Sequence, residues 1–255
     1  MALPALKGFF EWFGDVSLFG IRAIRDVFRP PFEIDEIINQ AYEAGWRSLP
    51  LIILSGFALG VILAIQTRTE MQSFGAQAMI PQAVSMGLFA DIGPLIAAMM
   101  IAGRVGAGTG SRLAEMRVTE QIDALEALGV NSFKYLVVTR IMALVIVMPI
   151  LTMVLNFSGL LGGMVTDIWD LHMSWRLFMH VAFAPMGWSN YIPPTAKTIV
   201  FGFVIGTVSC FLGYNAKQGA AGVGRASTYS VVLSLLLVIL SDVILEKLTL
   251  FLFPG

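Results

Sequence analysis

Charged residues are scarce in this chain. They form 13% of its 255 residues, about half of the roughly 25% that is typical of soluble domains. Hydrophobic residues form 57%, and the mean hydropathy is +0.80. The net charge is only -1, whereas a nucleic-acid partner requires a strongly basic face. The composition therefore excludes an ordinary soluble domain and a nucleic-acid-binding protein, and it indicates a membrane protein.

Cysteine, histidine and catalytic motifs are also sparse. The single cysteine, Cys210, lies in an apolar run, so we expect it to be a small buried side chain. His172 and His180 lack the spacing of a metal site. The run AKT at 196–198 resembles the end of a P-loop but lacks the glycines that cradle phosphate. We therefore expect a protein that is not an enzyme and that holds no metal or cofactor of its own.

Five long apolar runs can each cross a bilayer, which takes about 20 helical residues. The second contains Asp91 just before Gly93-Pro94, and the fifth contains Asp242 near its end. The tryptophan-rich stretch 167–197 is typical of an interfacial loop. The expected spans are 48–67, 79–102, 141–166, 198–216 and 226–245. We predict an all-α integral membrane protein with about five transmembrane helices.

Pairs of glycines four residues apart recur in these spans. Such pairs let two helices approach closely. They fit either packing within the chain or the seam of a dimer. The pairs are Gly56 with Gly60, Gly159 with Gly163, and Gly202 with Gly206.

The first 46 residues differ from the rest of the chain. Large apolar residues recur at helical spacing, and Arg22, Arg25 and Arg29 cluster near the end of the run, before Pro30-Pro31. This pattern predicts an N-terminal interfacial amphipathic helix whose bases lie near lipid phosphates. A short helix packed on the protein would have the same periodicity. Residues 32–46 form a second amphipathic piece, so we divide the chain into an N-terminal region, 1–46, and a transmembrane region, 47–255.

The basic residues are distributed unevenly over this topology. If the N-terminus lies in the cytoplasm, 12 of the 16 lysines and arginines lie on the cytoplasmic side and 4 on the outer side. Cytoplasmic loops of membrane proteins are enriched in basic residues, so we predict a cytoplasmic N-terminus. The polar segment between the second and third spans, residues 112–134, then also faces the cytoplasm.

This polar segment reads RLAEMRVTEQIDALEALGVNSFK. Thr119 can cap a helix that follows it, and Glu120 and Asp123 place negative charge in the first turn. Gly129 is a natural stop. The helix has an apolar edge at near-helical spacing, formed by Ile122, Leu125 and Leu128. Such a helix suits a groove on another protein, or its edge packs against this chain's own helix ends.

Longer signatures cover more than half of the chain. Gly93-Pro94 is followed by AGRVGAG at 102–108 and by EMRVTEQIDALEALGV at 115–130, and GYNAKQGAAGVGRASTYSVV occupies 213–232. In this order they closely resemble the MlaE/YrbE family of ABC-transporter permeases. The resemblance implies a permease of the bacterial inner membrane that moves phospholipid or a similar hydrophobic molecule.

The resemblance also implies partners. Permeases of this family pair with a second permease chain, here expected to form a homodimer, and with a cytoplasmic dimer of ABC ATPases that binds ATP and Mg. They also bind an MCE-domain protein, which carries lipid. Residues 112–134 would contain the coupling helix, seated in a cleft of the ATPase. The residues expected at this contact are Glu115, Glu120, Gln121, Asp123, Leu125, Glu126 and Leu128.

Asp91 marks a departure from the family pattern, since Ala90-Asp91 stands where the family commonly has Arg-Glu before Gly-Pro. An ionisable group at membrane depth is costly and is a functional candidate. Asp91 can equally cap the helix half that Gly93-Pro94 interrupts. The candidates for the lipid cavity or the mechanism are Asp91, Gly93, Pro94 and Arg104.

Two other classes of function fit the same sequence. An ion-coupled secondary transporter would use Asp91 on a broken transmembrane helix as its proton or sodium site. A membrane scaffold would use the polar segment only as a docking peptide. Transport that persists without ATP would indicate the first class, and a complex that moves no lipid under any energy source would indicate the second.

Overall fold

The structure, a computed structural model, describes residues 2–30, 32–184, 187–217 and 219–252. These residues form helices, turns and short connections, and no strand. Five helical runs are long and apolar enough to cross a membrane: Leu49–Ser73, Gln77–Val118, Lys134–Leu171, Tyr191–Tyr214 and Ala220–Thr249. The prediction of an all-α membrane protein with about five spans is confirmed for this part of the chain.

The α-helices of the described residues follow one another with short connections. They are α1 (Ala2–Val27), α2 (Ile34–Trp46), α3 (Leu49–Ser73), α4 (Ile80–Gly87), α5 (Gly93–Ile101), α6 (Ala107–Val118), α7 (Gln121–Ala127), α8 (Thr139–Leu171), α9 (Trp175–Phe183), α10 (Trp188–Tyr214) and α11 (Ala220–Leu252). Three π-helical turns, Leu88–Ile92, Ala102–Gly106 and Lys134–Val138, extend the helices beside them.

The helices extend beyond the apolar runs that predicted them. Hydropathy marks the part of a helix that crosses the bilayer, and it does not mark the residue at which the helix ends. The largest difference concerns stretch 167–197, which was predicted to be a loop. It contains α9, whose N-cap Ser174 accepts a hydrogen bond from the Leu177 amide, and the first turns of α10. Two prolines, Pro193 and Pro194, lie inside α10, although prolines usually indicate a loop or a helix end.

The N-terminal helix α1 has two different apolar faces. Val16 and Ala23 are buried against the chain itself, whereas Ile21 and Ile24 are exposed. The face of α1 that contains Val16 and Ala23 therefore packs on the protein. For the exposed face, the predicted position at the membrane interface remains our interpretation. The helix ends before Pro30, while Pro31 lies outside the described residues.

The chain forms two compact units, each assembled from separate stretches. The first unit comprises Met1–Ala44, Ile101–Ile146 and Gly202–Leu237, and the second comprises Gly45–Met100, Val147–Phe201 and Val238–Gly255. The N-terminal helices thus belong to the same unit as parts of later helices. The predicted division of the chain at residue 46 does not include this grouping.

Aromatic side chains fill the core of the first unit. The Phe19 ring packs edge-on against the rings of Phe133 and Phe211, at centroid distances of 5.0 and 5.4 Å. Cys210 is fully buried and belongs to the same core. The prediction that this cysteine is a small buried side chain is therefore confirmed.

A close helix crossing holds the second unit together. A Cβ atom added to Gly60 of α3 would lie 1.7 Å from the carbonyl oxygen of Gly159 on α8, and one added to Gly56 would lie 2.1 Å from the Ser158 hydroxyl. Only residues without a side chain allow this approach. For these glycines, packing within the chain is the interpretation that the structure supports.

Candidate docking segment and intramembrane charge cluster

The polar segment 112–134 is divided into two helices by a sharp turn. Helix α6 ends at Val118 and α7 starts at Gln121. Between them Glu120 adopts a left-handed conformation, with φ 60° and ψ 16°, which is unfavourable for a residue with a side chain. Segment 112–134 is therefore not one continuous helix, because the backbone turns at Glu120, and the short helix predicted after Thr119 corresponds to α7.

The sequence predicts both ends of α7, and the structure confirms only the C-terminal one. The Thr119 hydroxyl donates to the Glu115 carbonyl at 2.8 Å, so Thr119 lies at the end of α6. The prediction that Thr119 caps α7 is wrong. At the other end Gly129 has φ 79° and the Val130 amide donates to the Leu125 carbonyl at 3.1 Å. This is the Schellman arrangement, and it confirms the predicted stop.

The apolar edge of α7 has two different environments. Ile122 is fully buried and Leu125 packs partly against the core of the first unit. Leu128, in contrast, is 79% exposed. Packing on the chain's own helices therefore describes Ile122 and Leu125, and Leu128 is the member of the edge that faces outward.

Two acidic residues of α7 bind within the chain. Asp123, in the first turn as predicted, lies 2.7 Å from the Arg117 guanidinium. Glu126 accepts hydrogen bonds from the Ser132 hydroxyl at 2.5 Å and the Tyr214 hydroxyl at 3.3 Å. These bonds, that from Ser132 above all, hold the pKa of Glu126 below its ordinary value, because they stabilise the charged form.

The remaining predicted contact residues lie on one short stretch of exposed surface. Glu115 lies near the end of α6, Glu120 lies in the turn and Gln121 begins α7, and all three are exposed. We call these residues, together with Leu128, the docking surface. Acidic and amide groups beside a single exposed leucine form a surface suited to a protein partner.

A second site lies in the second unit, where Lys197 of α10 meets three carboxylates. Its ammonium lies 3.5 Å from Asp91, 3.2 Å from Asp242 and 2.6 Å from Glu246. The Lys197 side chain is 3% exposed, whereas that of Asp91 is 58% exposed. We call these four residues the charge cluster. Carboxylate oxygens so close together could hold a metal ion, but the ammonium already supplies a cation to all three.

The π-helical turn Leu88–Ile92 positions Asp91. Pro94 has no amide hydrogen, and the Gly93 amide donates to the Leu88 carbonyl five residues back, so the helical run continues through the proline. A Cβ atom on Gly93 would lie 1.8 Å from the Asn156 side-chain oxygen. The predicted break of the helix at Gly93-Pro94 is therefore wrong. Among the described residues, the Asp91 carboxylate accepts a hydrogen bond from Lys197 and not from a freed backbone amide.

Sequence reasoning missed most of the charge cluster. It placed Lys197 in an outer loop and grouped Asp91, Gly93 and Pro94 with Arg104, which is an exposed residue of the first unit. Ala90 stands where the family commonly has an arginine beside the acidic residue. In this chain Lys197 of α10 is the basic residue next to Asp91. The one available signal was the i, i+4 spacing of Asp242 and Glu246 in an apolar run, which puts both on one helix face.

Comparison with known proteins gives the family. A family profile described as "Permease MlaE" matches residues 37–248, which is most of the chain. The chain belongs to the MlaE permease family. The resemblance that the sequence motifs indicated is therefore confirmed, and as an MlaE permease with five apolar helices long enough to cross a bilayer the protein is a multi-pass membrane protein.

Relatives of this MlaE permease carry consistent names. A probable ABC transporter permease protein of Rickettsia felis is 37% identical over 92% of this chain and 91% of its own length. A probable ABC transporter permease protein of Synechocystis is 32% identical over 82% of this chain and 80% of its own length. The intermembrane phospholipid transport system permease protein MlaE of Haemophilus influenzae is 28% identical over 89% of this chain and 87% of its own length.

Proposed function

We propose that this chain is the permease subunit of an ABC-type transporter in the bacterial inner membrane. It moves phospholipid or a similar hydrophobic molecule between that membrane and an MCE-domain partner. The observation that carries the proposal is membership of the MlaE family, together with the name of the Haemophilus relative, which is a phospholipid transport permease.

The docking surface supports the proposal that a partner protein supplies the energy for transport. Glu115, Glu120 and Leu128 are exposed on α6, on the turn after it and at the end of α7, and the charge asymmetry predicts that this surface faces the cytoplasm. We infer that a dimer of ATPase subunits binds here, and that ATP and Mg belong to that partner. The permease itself then hydrolyses nothing and holds no cofactor, and two copies of it form the transport path.

The charge cluster supports the proposal that the transport path is polar at one position. Asp91 is the most exposed of its acids, while Lys197 is buried and holds α10, α11 and the π turn together. A displacement of these helices changes the distances between Lys197 and its three partners. We infer that the exposed Asp91 faces the substrate, and that ATP-driven movement is transmitted through the helices that Lys197 joins.

Co-purification with reconstitution tests the proposed function. The chain is co-expressed with the ATPase and MCE-domain proteins encoded beside it, purified, and reconstituted in vesicles. We expect it to retain the ATPase and to show lipid-stimulated ATP hydrolysis, with a Walker-lysine variant of the ATPase as the inactive control. A chain that never retains an ATPase subunit under these conditions would contradict the assignment.

An ion-coupled secondary transporter is the second candidate, and the charge cluster is the observation that favours it. Carboxylates at membrane depth can bind protons or sodium. The same vesicles distinguish the two functions. Lipid movement that continues without ATP and stops when the proton or sodium gradient is collapsed would support the second candidate and exclude the first.

A further inference from the structure

A cleft of about 500 Å³ runs along the exposed side of α1 in the first unit. Three arginines line it, Arg22, Arg25 and Arg29, with Asp26 between them. Their spacing of three and four residues places them on one face of the helix. Asn131, from the connection between α7 and α8, completes the polar side.

The positive charge of this cleft is only partly neutralised. Arg22 and Arg29 lie 3.8 and 3.9 Å from the Asp26 carboxylate, and their side chains are 61% and 56% exposed. Exposed pairs at such distances interact weakly. Arg25 is exposed and has no salt-bridge partner in the part of the chain that the structure describes. The Glu126 carboxylate also interacts electrostatically with Arg22. Three guanidinium groups are therefore balanced by two carboxylates, which leaves the cleft cationic.

One of the guanidinium groups is held in place by an aromatic ring. The Arg22 guanidinium carbon lies 4.0 Å from the centroid of the Phe133 ring, and Phe133 is itself buried in the core of the first unit. Stacking on a ring leaves the edge of the guanidinium group, with its N–H donors, available. These donors match two oxygens of a phosphate group.

Apolar side chains next to the arginines identify the kind of anion. Leu18 and Ile21 line the same cleft and are 65% and 61% exposed, and Ile24 and Phe28 form an exposed apolar band beside it. A soluble anion needs no such surface. A basic band next to an exposed apolar band is the pattern of a helix that lies at the lipid–water boundary.

We propose that this cleft is a binding site for an anionic phospholipid. The headgroup phosphate binds Arg22, Arg25 and Arg29, and an acyl chain lies along Leu18 and Ile21. The site is on α1 and does not include the charge cluster, so this lipid is a bound component of the permease and not the transported molecule. Anionic lipids attract the basic residues that lie near the membrane surface, so three arginines together favour an anionic over a zwitterionic lipid.

Native mass spectrometry of the full chain, titrated with phosphatidylglycerol or phosphatidylcholine, tests the proposal. We expect retention of phosphatidylglycerol over phosphatidylcholine, and a loss of roughly tenfold or more in phosphatidylglycerol affinity in the variant R22Q/R25Q/R29Q. The matched control, R176Q/K217Q/R225Q, removes the same charge from other exposed positions and should bind as the unmodified chain does. The single change Arg25→Gln, which breaks no salt bridge among the residues that the structure describes, keeps the test valid if the triple variant does not fold.

Three results would overturn the proposal. The first is equal phosphatidylglycerol binding by the unmodified chain and R22Q/R25Q/R29Q. The second is displacement of the lipid by millimolar inorganic phosphate, which would make the cleft a site for free anions. The third is a triple variant that retains the lipid but loses a co-purifying ATPase, which would make this face a protein interface. None of these results depends on whether the permease transports phospholipid.

Discussion

Lys197 lies nearly buried among three carboxylates, so the charges of all four side chains depend on one another. Its ammonium is 2.6 Å from Glu246 and 3.2 Å from Asp242. Removing one partner of a buried ion pair costs more than the pair contributes, since the other charge is left without compensation. At this scale the charge cluster is a matter of stability, apart from the role in transport that we propose for it.

We expect Lys197→Met to destabilise the protein by on the order of 3 kcal/mol, because it leaves the carboxylates around it uncompensated. Asp91→Asn should cost least, since Asp91 is the most exposed partner and lies 3.5 Å away. Thermal unfolding in detergent measures both changes, and lipid transport by Asp91→Asn then reports its function separately. The combination K197M/D242N/E246Q should recover part of the loss. Unchanged unfolding of Lys197→Met would show that the cluster does not contribute.

Glu126 gives a pH dependence whose sign follows from its hydrogen bonds. Its pKa is lowered in the folded chain, so its contribution to stability is complete above its ordinary pKa of about 4.3. That contribution is lost as the pH falls through the lower folded-state pKa. We expect the unmodified chain to have a higher Tm than Glu126→Gln at pH 7, and the difference between the two to shrink as the pH is lowered below that ordinary pKa. A difference that persists at the lower pH would show that ionisation of Glu126 is not its source.

At the scale of elements, α7 is a seven-residue helix that the chain holds on one side only. Ile122 is buried beneath it, and the Gly129 turn and the bonds to Glu126 close its end. A helix this short is not stable alone in water. Tertiary contacts therefore hold it in place and leave Leu128 on the outer side.

Two substitutions on α7 and its cap separate docking from folding. Leu128→Ala should change the free energy of unfolding by less than about 0.5 kcal/mol and weaken retention of the ATPase, because Leu128 is exposed. Ile122→Ala, the matched control, should destabilise the chain by about 2–4 kcal/mol, because it leaves a cavity. Unfolding curves and pull-down of the ATPase give the two readouts. If Leu128→Ala retains the ATPase fully, Leu128 is not part of the contact.

On the scale of the whole molecule, the five candidate spans place successive connections on opposite sides of the membrane. We therefore predict that the connection that contains α7 and the one that contains α9 face different compartments. Basic residues are concentrated on the side of the N-terminus and α7, which predicts that this side is cytoplasmic.

Cysteine labelling tests this topology directly, since Cys210 is buried and should react little. In right-side-out vesicles, a membrane-impermeant thiol reagent should label Trp188→Cys and should not label Gln121→Cys. Inside-out vesicles should give the reverse. Labelling of both positions from the same side would contradict the five-span arrangement, and a consistent reversal would contradict the orientation.

Local sequence was sufficient for the class of the protein. Long apolar runs give spans wherever they occur, because an uncharged helix satisfies its backbone within itself. The motifs at 102–108, 115–130 and 213–232 were sufficient for the family, and Gly129 for the end of α7. Each of these depends on residues that are neighbours in the chain.

Packing in three dimensions settled the remaining points. Lys197 and Asp91 are 106 residues apart, and Lys197 and Glu246 are 49 apart, so no local pattern pairs them. The turn at Glu120 and the burial of Ile122 with exposure of Leu128 likewise follow from what α7 packs against. Periodicity shows which residues share a helix face, but the environment of that face depends on helices that come from distant parts of the chain.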